Sequence, residues 1–184
     1  MPRIPRSGLV TDEGVYHLIV RGNNRMRVFH DADDYDAYYD LLLAAKGMFG
    51  VAIYHYVLMP NHAHLLVGKA EQLSVFMQWV QGTYSKRHHR LYKRVGHTWQ
   101  GRYKSLPIGS DAYLFACGNY IEMNPVRAAL VRTPEEWKHS SYKTYALGER
   151  DNLVTIDPFY ATLGRTNEDR QEAYHQSITR TRPV

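Results

Sequence analysis

Cysteine is nearly missing from this 184-residue chain, and the lone Cys117 cannot form an internal disulfide. The fold therefore does not depend on an oxidising compartment, and a cytoplasmic setting is expected. Long apolar runs are missing too: the richest window, Val51 to Val67, is interrupted by His55, Asn61, His62 and His64, so no membrane span is expected. Met1 to Val10 supplies Arg3 and Arg6 but gives way to Thr11-Asp12-Glu13 instead of the apolar run of a signal peptide, so secretion is not expected. Internal repeats and low-complexity blocks are also lacking, and 44% hydrophobic with 22% charged residues suits one compact core. Acid is absent from Ser85 to Lys104, which holds seven Lys/Arg, while base is absent from Asp31 to Asp40, which holds five Asp. With a net charge of +5 and 15 tyrosines, such a segregated basic stretch with interleaved aromatics fits a nucleic-acid binder.

Hydrophobic period and turn residues then place the elements. Tyr16 to Val20 alternates as a strand and stops at Gly22-Asn23-Asn24. Asp31 or Asp33 caps a helix carrying Tyr35, Tyr38, Leu42 and Ala45, ended by Gly47 or Gly50. Val51 to Leu58 and Ala63 to Val67 are strands whose short Pro60-Asn61 link predicts an antiparallel hairpin. Leu73, Phe76, Met77, Val80, Tyr84 and Leu91 share one stripe of an amphipathic helix with a basic C-terminal half. Tyr103 to Ile108 is a fourth strand, and Asp111 caps a further helix that must bend or end near Asn124, before Pro125. The order β-α-β-β-α-β plus one helix predicts an α+β fold, a ferredoxin-like split-βαβ antiparallel sheet with helices packed on one face.

Two constellations carry chemistry. His62-Ala63-His64 starts the third strand, where residues i and i+2 share a face, so both imidazoles can reach one ion. Ten histidines in the chain give about 0.5 chance occurrences of His-X-His, so the pattern alone is weak. Tyr120 and Asn124 stand four apart beside the apolar stripe of Leu114, Cys117 and Ile121. An Asn124 carbonyl oxygen suits a divalent ion held by two histidines, and a tyrosine near a cation is an activated nucleophile. The plainer readings are a surface histidine pair, a packing tyrosine and a helix-ending asparagine. Cys117 reads as core filler and Trp99 as buried under its loop, while His17, His30, His55, His88, His89, His97, His139 and His175 carry no ligand assignment.

Several segments occur in one order: Pro2-Arg3, Tyr16-His17, Arg21-Gly22-Asn23-Asn24-Arg25, Tyr56 to Leu66, Trp99 to Ser105 and Tyr120 to Ala128. Together they closely resemble the REP-associated tyrosine transposases, a branch of the single-tyrosine HUH transposases, over roughly residues 2 to 142. The resemblance implies that Tyr120 is the nucleophile and that His62, His64 and Asn124 bind Mg²⁺ or Mn²⁺. It implies a metal-dependent single-stranded DNA endonuclease and strand transferase, acting at hairpin-forming repeats through a 5′-phosphotyrosine intermediate. Its partner is a DNA hairpin with flanking guide nucleotides, and Arg3, Arg6, Arg21, Asn23, Arg25, Lys86, Arg87, Arg102 and Lys104 are the candidate DNA contacts. A cytoplasmic, nucleoid-associated monomer without membrane attachment is expected.

The motifs define residues 1–145 as the HUH domain and 146–184 as a partly mobile C-terminal extension, with Asn167 to Val184 polar enough for a mobile tail. The main rival is a non-catalytic single-stranded nucleic-acid-binding module on the same fold, with Tyr54 and Tyr56 as stacking platforms. A metal hydrolase is the third reading.

Overall fold

In the computed structural model, residues 14–68 and 71–180 are described. Strands β1 (Val15–Arg21), β2 (Ala52–Met59), β3 (His62–Gly68) and β4 (Lys104–Ile108) form one sheet in the order β2-β3-β1-β4, with every neighbouring pair antiparallel. Helix α1 (Ala32–Phe49) joins β1 to β2 and helix α2 (Leu73–Tyr92) joins β3 to β4, completing the ferredoxin-like α+β arrangement that the sequence order implies. Of the alternative ends for α1, the chain uses Asp31, whose carboxylate accepts from Asp34 N at 3.1 Å, and Gly50. Gly50 adopts φ 65°, a left-handed conformation that glycine tolerates without strain.

Strand alternation divides the sheet into two unlike faces. Tyr16, Leu18 and Val20 of β1 and Ala63, Leu65 and Val67 of β3 turn to α1 and α2, where Tyr38, Leu42, Phe76, Val80 and Tyr84 complete the main core. On β2 a bulge between Ile53 and His55 resets the alternation. Ile53 thereby joins Tyr56 and Leu58 in that core, while Val57 and Met59 face the other way. Leu91, expected on the apolar stripe of α2, is instead exposed, because the last turn of α2 runs past the core.

Helix α3 (Asp111–Glu122) covers the second face, so the helices are not all on one side: α1 and α2 share a layer, and the additional helix takes the opposite one. Leu114, Cys117 and Ile121 pack there on Val57, Met59 and Leu66, and Cys117 is core filler as its surroundings in sequence suggest. The cap is Ser110 rather than Asp111, its hydroxyl accepting from Tyr113 N at 3.3 Å. Close approach to β2 requires Gly118, since a β-carbon there would stand 2.8 Å from the His55 ring. The expected bend follows at Met123, and the chain continues as the single turn α4 (Asn124–Arg127).

The expectation of a mobile tail is corrected for residues 167–180, which form a helix, while 181–184 lie outside the described residues. Helices α5 (Tyr142–Leu147) and α6 (Asn167–Arg180) and the 3₁₀ segment Pro158–Leu163 fold against α3. Tyr142, Tyr145, Tyr160, Tyr174, Ile178 and Met123 form one buried cluster. Two apolar side chains four residues apart dock α6, too few to register against its polar composition. The expected division at residue 145 falls inside α5. Among the described residues, no helix is long and apolar enough to cross a membrane.

Candidate active site

Three loops meet at the end of the sheet where β3 begins. Gly22 N donates to Asn61 O at 2.8 Å, Asn23 N to Thr98 O at 2.9 Å, Gln100 N to Arg21 O at 2.9 Å and Val28 N to Pro60 O at 2.8 Å. These bonds fix the β2–β3 turn, and with it the orientation of the histidines that follow. Asn61 Nδ2 donates to Arg25 O at 3.1 Å, which turns Asn61 Oδ1 toward His62 Nδ1 at 2.6 Å. An amide oxygen only accepts, so His62 Nδ1 carries the proton and Nε2 keeps its lone pair.

His64 lies on the same face, its ring centre 5.0 Å from that of His62. Its Nδ1 shares a 2.8 Å hydrogen bond with Nε2 of His17, a β1 residue, and the two rings stack at 5.0 Å. His17 was not assigned a role in the sequence, because the β1–β3 register that brings it diagonally onto His64 is a long-range property. In the tautomer where His64 donates to His17, both His62 and His64 keep the Nε2 lone pair, and each ring is oriented by a hydrogen bond at Nδ1. Burial, with some help from Arg21, pushes His62 down to about 4, and burial with the charges of His17, His62 and Arg21 pushes His64 lower still. Burial likewise holds His17 at about 4. All three are neutral imidazoles near neutral pH, the form that binds a cation.

Tyr120 comes to this pair from α3. Cys117 and Ile121 anchor the helix, and Tyr120, one residue round from that buried face, is 43% exposed. Its ring stands edge-on to His64 at 6.1 Å and to His17 at 6.2 Å. One turn on, Asn124 Nδ2 donates to Tyr120 O at 2.8 Å and to Ile121 O at 3.1 Å. The amide nitrogen is thus held on the helix, leaving the carbonyl oxygen directed away from those acceptors. Among the described residues, no three of His, Cys, Asp and Glu are grouped to hold a metal ion. Neutral imidazoles and an amide oxygen are donor types suited to Mn²⁺, and also to Mg²⁺ when waters complete its shell.

The candidate DNA contacts separate by location. Arg21 ends β1 opposite His62, and Lys104 pairs with Ile19 in register, so both lie on the face of the sheet that α3 covers. Asn23 and Arg25 form the adjoining turn, and Arg102 is exposed just before β4. Lys86 and Arg87 belong to the α1/α2 layer instead. Arg87 is bound to Asp34 at 3.4 Å and donates to Asp33 O at 3.3 Å, so part of the charge segregation along the sequence is resolved inside the fold. Arg3 and Arg6 lie outside the described residues. Trp99 is buried, donating to Gln81 O at 3.1 Å. Tyr54 and Tyr56 are buried as well, so neither is an open stacking platform of the kind the binding-module reading needs.

No curated protein matches the chain. Among solved structures, a REP-associated tyrosine transposase bound to a REP hairpin superposes with a TM-score of 0.65 at 18% identity, covering 85% of this chain and 93% of that one. A transposase candidate from Deinococcus radiodurans R1 is 24% identical, covers 66% of this chain and 96% of its own, and has a TM-score of 0.45. The sequence match to the family described as IS200-like transposases runs over residues 11–124, more than half of the chain and including both histidines, Tyr120 and Asn124, and the protein belongs to that family.

Proposed function

We propose that this chain is a single-stranded DNA endonuclease and strand transferase of the REP-associated type, cutting beside a hairpin through a 5′-phosphotyrosine intermediate. The observation that carries this reading is the exposed Tyr120 standing edge-on to His64, with His62 beside it, on the side of the sheet that also presents Arg21 and Lys104. As the phenolic oxygen bonds to phosphorus its proton leaves to solvent, the P–O3′ bond breaks and the 3′ oxygen takes a proton from solvent. The 5′ side remains as a tyrosine ester, which a 3′ hydroxyl can attack to re-form a phosphodiester. No nucleotide cofactor is required, because the bond energy is retained. His62, His64 and the Asn124 amide oxygen would hold Mg²⁺ or Mn²⁺, which would supply Lewis-acid polarisation of the scissile phosphate. His17 and Asn61 orient the two imidazoles, and the edge contact of Tyr120 with His64 within one chain makes a monomer sufficient. On this reading the protein works at the nucleoid, on hairpins with flanking guide nucleotides.

Incubation with single-stranded hairpin DNA and Mn²⁺, followed by a denaturing gel, tests the assignment. A covalent protein–DNA adduct is the expected result. Free 5′ phosphate without adduct identifies a metal hydrolase, and binding without cleavage identifies a non-catalytic module.

His62→Ala and His64→Ala are expected to remove most divalent-dependent cleavage without unfolding the protein. Asn124→Ala is expected to be milder, since water can replace one neutral oxygen ligand. Cleavage that is equal for wild type and His64→Ala in excess EDTA counts against a metal-assisted reaction.

Binding is expected to weaken steeply with salt, because phosphate contacts release counterions. Arg21→Ala and Lys104→Ala should each lower the log-log salt slope by about 0.7 to 0.9 and weaken all hairpins alike. Arg87→Ala, which loses an internal partner of Asp34, should instead lower stability with little change in slope. Arg3, Arg6 and Asn23 are the guide-reading candidates, each expected to cost about 1 to 3 kcal/mol on the cognate guide and little on a scrambled one. Equal weakening of both substrates would return them to the general basic rim.

A further inference from the structure

Arg127 stands over the nucleophile. Its guanidinium carbon is 4.7 Å from the centre of the Tyr120 ring, within the range of a cation–π contact. The residue closes α4, a turn anchored by the buried Met123 and Pro125. Arg127 N donates to Met123 O at 3.0 Å, and Ala128 N donates to Asn124 O at 2.9 Å. The turn that sets Asn124 against the main chain of Tyr120 therefore also sets the position from which Arg127 reaches the ring. Among the described residues, no carboxylate or carbonyl is paired with this guanidinium. Its ring contact is with the π-face of Tyr120, and its N–H groups are available to an anion.

A phosphodiester poised for attack places phosphorus about 3 to 3.5 Å from the phenolic oxygen, within reach of a guanidinium held over the same ring. Negative charge gathers on the equatorial oxygens as the fifth bond forms, and a pre-positioned cation at that point favours the transition state over the ground state. Arg21 approaches the histidines from β1, whereas Arg127 approaches the tyrosine from α4. One cation thus acts on the histidines and the other on the tyrosine.

We propose that Arg127 is a catalytic residue, binding a non-bridging oxygen of the scissile phosphate while steadying the Tyr120 ring. This rests on the strand-transfer reading above. A surface arginine engaged with DNA only as part of the basic rim would change affinity and leave the rate at saturation alone.

The experiment begins with a pool of single-stranded DNA hairpins with randomised flanks, from which wild-type protein and Mn²⁺ recover the sequences captured as covalent adduct. On the recovered hairpin, Arg127→Ala is expected to lower the single-turnover cleavage rate at saturating DNA about a hundredfold, with affinity changed by no more than a few-fold. Arg127→Lys, keeping the charge but not the planar fork, should recover part of the rate. A neutral methylphosphonate at the scissile position replaces one of the two non-bridging oxygens, so its two diastereomers are tested separately; on the one that lacks the oxygen Arg127 would hold, wild type and Arg127→Ala should cleave at similar rates. A hundredfold loss on the phosphodiester and on both diastereomers overturns the phosphate contact, since steadying the ring alone is indifferent to which oxygen is present. Wild-type cleavage rates for Arg127→Ala overturn the proposal for Arg127 and leave the strand-transfer reading standing. No adduct from wild type with any member of the pool overturns that reading and the role of Arg127 with it.

Discussion

Tyr120→Phe is expected to abolish covalent capture of DNA while leaving hairpin affinity within a few-fold of wild type. The substitution removes one oxygen and keeps the ring, so the edge contacts with His64 and His17 and the stacking of Arg127 can all persist. The fold is indifferent to the change, because this side chain is 43% exposed and its hydroxyl makes no hydrogen bond that the core requires. What disappears is the atom proposed to form the ester, and among the described residues no neighbouring nucleophile is placed to replace it. Cys117, one turn earlier, is buried in the α3–sheet contact, and burial raises its thiol to about 12, far from the thiolate form. Tyr113 lies two turns earlier on α3 and is 54% exposed, which makes Tyr113→Phe the informative control. It should form adduct normally. Adduct persisting in Tyr120→Phe and lost in Tyr113→Phe would falsify the assignment of the nucleophile.

The parts of this site that were legible in the sequence are those fixed by local geometry. His62 and His64 share a face because a strand alternates, whatever it pairs with, and Tyr120 stands one turn from Asn124 because a helix turns every 3.6 residues. The β-hairpin at Pro60-Asn61 and the bend before Pro125 were legible for the same reason. Register and inter-layer contacts are long-range, so His17 gave no sign that it meets His64, and a run of aspartates gave no sign that Asp34 lies against Arg87. The basic stretch of α2 therefore looked like a single DNA-facing surface, although Arg87 is held in the helical layer across the sheet from Tyr120. Arg127 was visible as a motif residue, but its place over Tyr120 depends on the bend at Met123, whose angle no sequence spacing supplies.

Glu122→Ala is expected to destabilise the protein by about 3 to 5 kcal/mol, the usual cost of removing one member of a buried ion pair. Glu122, two residues beyond Tyr120 and fully buried, sits 3.0 Å from His55 Nδ1 and accepts from Ser141 Oγ at 2.6 Å and Tyr174 Oη at 2.8 Å. His55 Nε2 meets Asp157 at 3.4 Å on its other side. Four parts of the chain thus converge behind the helix that carries Tyr120: β2 through His55, the start of α5 through Ser141, the segment before Pro158 through Asp157, and α6 through Tyr174. Burial by itself lowers the His55 pKa, but the hydrogen bonds and charges of Asp157 and Glu122 outweigh it and raise the group above its ordinary value. The stabilisation from this pair is therefore complete below about pH 6.5, the unfolded value, and is lost as pH rises through the raised folded value. In thermal melts, Glu122→Ala should lower Tm by about 10 °C at pH 6. Ser141 and Tyr174 donate to different oxygens of Glu122, so Glu122→Gln keeps an acceptor for only one of them and loses the charge opposite His55; it should still lose less than Glu122→Ala at pH 6 and show a flatter decline toward alkaline pH. Hydrogen exchange should show residues 157–178 losing protection first in Glu122→Ala, because Tyr174 loses its bond to α3 and Asp157 loses the carboxylate that helps hold charge on its partner His55. Melting of Glu122→Ala at the wild-type temperature, with α6 still protected, would mean that the tyrosine cluster around Tyr145 and Ile178 holds the C-terminal helices unaided.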